Sequence, residues 1–472
     1  MKNHSAFDAS RRGMLRSMIG GSVLLPGIVS QLLAEDSPVA MAAADPLAPK
    51  PTHFSPKAKR VIFLYMSGGV SHIESWDHKP KLFRDVGQSV TVDEFQGRKG
   101  DFKMRLTQPQ FTFKPYGKCG TEVSSLFPHM AECVDDLCVI RSMKSDHTNH
   151  YEATLGLHTG SFTFARPSIG AWASYGLGSV NQNLPSFVVI APQSPYAGSQ
   201  VWASDFLPGA HQGTLVVPGP EPVANIQRRS ASNRLQELEL GLVAKRNRQH
   251  QLSRADDPAL AARIKSYETA FGMQAEVPDV FDLSKETDAT LKLYGLERGS
   301  TAGFAWQCLV ARRLAERGVR FVELIDVGSS NNWDAHGDMA THVPLAKNVD
   351  QAVAGLLRDL KQRGMLEDTL VVWTTEFGRT PFQESAQAKG RDHHHWVFSS
   401  WLAGAGVKPG MTYGESDEYG INVANNPVHV HDFHATILHL MGLDHERLTY
   451  RHSGRDYRLT DVHGNVVKEI LA

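Results

Sequence analysis

Short apolar runs that end in glycine or polar clusters punctuate the chain. Arg60-Val-Ile-Phe-Leu-Tyr-Met66 is apolar after its first residue and leads directly into Ser67-Gly68-Gly69. A run without alternation predicts a strand buried on both faces, because a half-exposed strand would show every second position polar. Similar runs recur at 137–140, 186–190, 320–325, 369–373 and 397–402. Between them, 304–317 carries apolar residues at helical spacing and stops at Gly318, and 344–363 does the same and stops at Gly364. Helix and strand in alternation, with glycine stops, predict a largely parallel central sheet covered by helices, a three-layer α/β/α sandwich. Residues 230–294 break this rhythm with Glu, Arg, Gln and Leu throughout, which predicts a helical insertion. No internal repeat is evident.

The N-terminus reads as an address. Ser10-Arg11-Arg12-Gly13-Met14-Leu15 precedes an uncharged stretch over 17–34, the pattern of a twin-arginine export signal. Residues 1–43 are therefore expected to be a leader handled by the twin-arginine machinery, 44–59 a Pro- and Ala-rich linker, and 60–472 the folded domain. A membrane anchor is the competing reading, but Gly20, Gly21 and Pro26 interrupt the run, and a span needs about 20 apolar residues. No second stretch reaches that length, so the mature chain is expected without an integral membrane segment, in the periplasm or outside the cell.

Charge narrows the partners. Lys+Arg of 49 against Asp+Glu of 50 leaves a net charge of -1, which disfavours nucleic acid and places any anion in a local site. The 22 histidines matter more, because they group near 147–158, 393–395 and 429–452. Of the four cysteines, Cys119, Cys133 and Cys138 are close enough in sequence for one bridge, whereas no C-x-x-C pair indicates zinc.

In an α/β sheet, ligands sit beyond the carboxyl ends of the strands. Four polar clusters follow strands, Ser71-His72-Ile73-Glu74, Asp146-His147-Thr148-Asn149-His150, Trp333-Asp334-Ala335-His336 and Glu376-Phe377-Gly378-Arg379, and a fifth, Arg391-Asp392-His393-His394-His395, lies just before the strand at 397–402. Carboxylates and imidazoles without thiolates suit a divalent metal such as zinc, calcium, manganese or magnesium. Asp334, His336, Glu376, His393 and His394 are the expected metal ligands, although adjacent histidines diverge and at most two of that triple reach one ion. His147 and His150 suit acid/base work, Thr148 is the nearest hydroxyl, and Arg379 and Arg391 could grip an oxyanion bidentately. Trp333 and His72 are expected at the substrate wall. The structural alternative has Asp334 capping a turn, Glu376 paired with Arg379 or Arg391, and both arginines in salt bridges.

Several of these segments resemble known ones. Leu366-Glu-Asp-Thr-Leu-Val-Val-Trp-Thr-Thr-Glu-Phe-Gly378 is similar to the strand that delivers a metal-binding Asp in sulfatases and alkaline phosphatases, and 150–160 resembles the sulfatase nucleophile box in length and ending. Gly68-Gly69-x-Ser71-His72-Ile73, Thr375-Glu376-Phe377-Gly378-Arg379-Thr380, Gly390-Arg391-Asp392-His393-His394 and Gly454-Arg455-Asp456-Tyr457 resemble the domain-of-unknown-function 1501 family across the mature chain. The resemblance implies an alkaline phosphatase-like fold and an exported, metal-dependent hydrolase of phosphate or sulfate esters, polysaccharide esters included. It departs from the superfamily in lacking the Cys, Ser or Thr nucleophile where His150 stands, with Thr148, Ser71 and Ser67 as the alternatives. Metal-activated water fits such a site better. The second expectation is a non-catalytic exported protein that binds metal or glycan on the same fold.

Overall fold

The run after Arg60 forms strand β1 (Arg60–Tyr65), and its side chains divide between two cores. Val61, Phe63 and Tyr65 enter one apolar layer, and Ile62 and Leu64 enter the other with Met66. This period-2 division explains the lack of polar alternation, since both faces are covered. The computed structural model describes residues 45–95, 97–227, 230, 232–254, 257–383 and 388–472. The expected leader lies outside the described residues.

The other strands of the nine-stranded sheet are β2 (Leu137–Lys144), β3 (Phe187–Ile190), β4 (Thr214–Val216), β5 (Phe321–Ile325), β6 (Thr369–Thr374), β7 (Phe398–Ala403), β8 (Met411–Tyr413) and β9 (Val428–His429). Their order is β8-β2-β7-β6-β1-β5-β3-β4, with β9 on β2. β1 pairs parallel with β5 and β6, and β3 pairs parallel with β4 and β5. β7 runs antiparallel to both β6 and β2. The sheet is therefore mixed and mostly parallel, as expected, with one reversed strand that the apolar run at 397–402 did not reveal.

Helices α1 (His150–Thr159), α2 (Ile169–Leu177) and α5 (Val430–Leu440) contribute to the layer of Phe63, whereas α3 (Phe304–Glu316) and α4 (His342–Gln362) contribute to that of Leu64. Asn149 opens α1 by accepting the Tyr151 N–H at 2.9 Å, and Gly160 closes it in the left-handed region at φ 67°. The expected helical insertion contains Asn233–Leu252, Pro258–Phe281 and Asp288–Tyr294. The described residues of 227–264 fall in a different compact unit from 46–226 and 265–472, and among them Ser232 caps Asn233–Leu252 by accepting the Leu235 N–H. No helix of the described residues is long and apolar enough to cross a membrane.

Residues 46–59, expected as a linker, are tied to the folded body. Lys50 N–H donates to Leu177, His53 N–H to Gly442 and Ala58 N–H to Leu440. The bridge that the spacing of Cys119, Cys133 and Cys138 allows does not form: all four thiols are free, Cys119 exposed and the others buried.

Reversal of β7 has a direct consequence for chemistry. The chain leaves β1, β5, β6 and β2 at one rim of the sheet, and it enters β7 at that same rim. Residues after four strands and before a fifth thus converge, which brings 67–77, 145–150, 326–336, 375–379 and 391–395 together.

Candidate metal centre

At the end of β6, Glu376 turns inward and is fully buried. Its carboxylate accepts the Gly68 N–H at 2.9 Å, the Tyr65 hydroxyl at 3.0 Å, the Thr375 hydroxyl at 3.1 Å and His150 Nδ1–H at 2.7 Å. The approach needs Gly68 and Gly69, at φ 115° and 79°, because a Cβ at Gly69 would stand 2.6 Å from the Phe377 ring. Phe377 packs against the rings of both His150 and His393, at 4.8 and 4.6 Å.

His150 is the first residue of α1. In its neutral form, with Nδ1 protonated toward Glu376, the lone pair lies on Nε2. Nε2 is buried without a hydrogen-bond partner and stands 3.3 Å from Asp334 Oδ2. His393 has a matching arrangement: Nδ1–H donates to the Thr148 carbonyl at 2.6 Å, leaving Nε2 3.2 Å from Asp334 Oδ1 and 2.9 Å from His336 Nε2. His336 Nε2 is also 2.9 Å from Asp334 Oδ1. Imidazoles fixed by a carboxylate or a backbone carbonyl, with the free nitrogen aimed at a shared point, are oriented as metal ligands are.

The spacing agrees with that chemistry. Ligand atoms about 2.0–2.1 Å from a tetrahedral zinc lie about 3.3 Å from one another. His150, Asp334 and His393 form one group with all ligand atoms within 4.8 Å, and His336, Asp392 and His393 form a second.

Electrostatics concentrates on Asp334. Burial opposes its charge, but the imidazoles of His150, His336 and His393 and the Arg379 guanidinium overcome this and hold the carboxyl far below the usual range. Burial likewise disfavours the His150 imidazolium, and the carboxylates of Asp334 and Glu376 outweigh it, raising that ring above the ordinary imidazole value. His393 goes the other way: burial lowers it, so its neutral, ligating form is favoured.

Beside this centre, Asp326 follows β5 and accepts Ser67 N–H at 3.0 Å and Trp333 Nε1–H at 2.6 Å. Burial pushes its carboxyl up from the ordinary 3.8 to about 7, against the pull of those two donors. The folded state therefore binds this proton more strongly than the unfolded chain does. Its stabilising contribution is complete below the unfolded value and is lost as pH rises through about 7. Asp326→Asn is expected to flatten the fall in urea midpoint between about pH 4 and pH 7 relative to the parent protein. Parallel slopes for the two proteins would refute this.

A family model for a protein of unknown function, DUF1501, matches residues 58–471. The chain belongs to that family. No curated protein matches this DUF1501 member. Among solved structures it is similar to a protein of the alkaline phosphatase superfamily from Vibrio parahaemolyticus, with TM-score 0.39 and 10% identity over 88% of this chain and 74% of that one. The lipoteichoic acid synthase LtaP from Listeria monocytogenes has TM-score 0.37 and 8% identity, covering 88% and 79%. A phosphonate monoester hydrolase from Silicibacter pomeroyi has TM-score 0.33 and 11% identity, covering 73% and 71%. The chemistry of this DUF1501 site accordingly rests on its own side chains.

Of the expected ligands, Asp334, His336 and His393 meet, and Glu376 stands behind His150 as its hydrogen-bond acceptor. His394 does not join them. His393 and His394 form a short strand against Gly378–Arg379, so successive side chains point to opposite sides. His394 Nε2 instead bonds the Ile421 carbonyl at 2.6 Å. His150, expected as acid/base, lies in the first ligand group. His147 accepts the Asn149 N–H at 3.2 Å in the turn that opens α1.

Both expected oxyanion arginines are buried and engaged. Arg379 donates to the Gly68 and Gly69 carbonyls and to Asp334, and Arg391 pairs with Glu74 at 2.8 Å. Trp333 is fully buried with its indole N–H on Asp326, so its ring is closed to a sugar. His72 is buried and bonds the Gly420 carbonyl at 3.0 Å.

The cleft over the centre has a volume of about 480 Å³ and is lined by Thr148, Asn149, His150, Tyr151, Tyr196, His336, Asp392 and His393. Tyr196, which sequence reasoning missed, stacks on His150 at 4.2 Å and 7°. Its signal was present: it follows β3, at the same rim as the other clusters.

Proposed function

We propose that this protein is an exported metal-dependent hydrolase of phosphate or sulfate esters. The observation that carries the reading is the convergence of His150, Asp334 and His393 in one ligand group, with His336 beside Asp334 and His393 in the adjoining one and the buried Nε2 of His150 facing Asp334. No residue lining the cleft is Lys or Arg, and the nearby guanidinium of Arg379 is buried and engaged. An anionic ester would therefore need its countercharge from a cation held by these ligands. A divalent cation bound there would supply that charge and acidify water for attack at neutral pH.

The chain's own residues divide the remaining tasks. Asp334 joins the three imidazoles, Glu376 fixes the His150 ring, and the Thr148 carbonyl fixes His393. Tyr196 and Tyr151 form the cleft wall, and their rings offer the flat surface that a sugar-borne ester would use. Export is supported by the Arg11-Arg12 leader pattern.

The test is to strip the purified full chain with chelator, reload it with zinc, manganese, magnesium or calcium, and assay aryl phosphate mono- and diesters and aryl sulfate. Turnover that appears with one metal and disappears on chelation is the expected result. Tight metal binding with no turnover on any ester would instead establish the binding-protein reading. Absence of metal binding would sink both.

A further inference from the structure

A second histidine cluster lies outside the centre described above, at the start of α5. It faces a cleft of about 510 Å³ whose lining includes Asp146, His429, His431, Asp432, Glu446 and His463. No Lys or Arg lines it, so its field favours a cation. Glu446 has a guanidinium partner, Arg458 at 3.3 Å, whereas Asp146 faces His429 Nε2 at 3.0 Å.

His431 is the informative residue. It is 5% exposed, and its Nε2–H donates to the Gly160 carbonyl at 2.9 Å. That bond places the lone pair on Nδ1, which is buried with no hydrogen-bond partner. A buried polar nitrogen left unpaired costs about 1–3 kcal/mol, so the fold gains from whatever occupies it. The exposed His463 ring lies parallel to His431, with centroids 5.0 Å apart and 17° between planes. His429 is committed differently: its Nδ1 accepts the His431 N–H at 3.2 Å, so Nε2 donates to Asp146.

We infer that this cleft binds a second divalent transition cation of the zinc class, held by His431 Nδ1 and His463, with Asp146 supplying a carboxylate oxygen. The backbone bond at Nε2 presets the His431 tautomer and ring orientation, the usual condition of a ligating imidazole. His463 closes the site by turning its exposed side chain. Bound there, the cation ties the C-terminal loop around His463 to α5 and, through Gly160, to the end of α1. Its role is to clamp these segments, and it does not depend on the hydrolase reading.

The experiment is a titration of the chelator-stripped full chain, carried without an oligohistidine tag, with Zn2+ by calorimetry and with Co2+ by visible absorption. Wild type is expected to bind one equivalent more than His463→Ala, whose exposed position spares the fold. His431→Asn is expected to lose the same equivalent, and Asp334→Asn is expected to retain it. Each loss should weaken that step at least about 10-fold. An unchanged isotherm in a folded His463→Ala protein overturns the inference and leaves water as the partner of Nδ1. Loss of every equivalent in Asp334→Asn, with His463→Ala and His431→Asn binding as wild type does, would do the same while leaving the first centre intact as a proposal.

Discussion

Asp334→Asn is expected to weaken zinc binding at the strand-end centre by about 100-fold or more and to abolish the stabilisation that zinc confers on the protein. Asp334 is the residue on which His150, His336, His393 and Arg379 all converge. Asparagine keeps the shape but removes the charge, and its amide nitrogen is no ligand. At a zinc concentration 100 times the dissociation constant, the parent protein should gain about 2.7 kcal/mol, and the variant essentially none. Without metal the variant should also lose about 1–3 kcal/mol, because Arg379 is then left with backbone carbonyls in a buried position. Calorimetric titration and thermal unfolding with and without chelator separate the two effects. Equal zinc affinity in both proteins would remove Asp334 from the centre.

Glu376→Gln tests the other role. The carboxylate accepts hydrogen bonds from Gly68, Tyr65, Thr375 and His150, and it offers no proton of its own. A glutamine amide turned toward those donors leaves at least one N–H facing another. The expected loss is about 2–4 kcal/mol of unfolding stability in chelator, where metal plays no part. Zinc affinity should fall about 10–100-fold, the range for a group that orients a ligand. If Glu376 were itself a ligand, the affinity loss would exceed this range while stability in chelator changed little. Urea denaturation in chelator, set beside calorimetric titration, distinguishes the two.

Much of the architecture was legible because a doubly covered sheet writes itself as unbroken apolar runs. The strands at 60–65, 321–325 and 369–374 and the helices at 304–316 and 342–362 follow directly from that pattern. Strand direction was not legible, since an apolar run reads alike in either sense and β7 differs from its neighbours in direction alone. The convergence of polar clusters followed from the rule that strand ends gather. Which member of His393-His394-His395 faces inward depends on a two-residue pairing with Gly378–Arg379 that local sequence does not encode. Arg379 and Arg391 looked available because their partners, the Gly68 and Gly69 carbonyls and Glu74, lie more than 300 residues away. Long-range burial of this kind leaves no mark near the residue itself.

Helix α1 carries a final implication. Its first residue is His150, its Leu157 carbonyl accepts from His434, and the Gly160 carbonyl just past its end accepts from His431. A strut of ten residues, about 15 Å long, thereby shares its two tips between separate histidine neighbourhoods. One backbone nick inside it would disable both places together, whereas damage to any single loop would spare one of them.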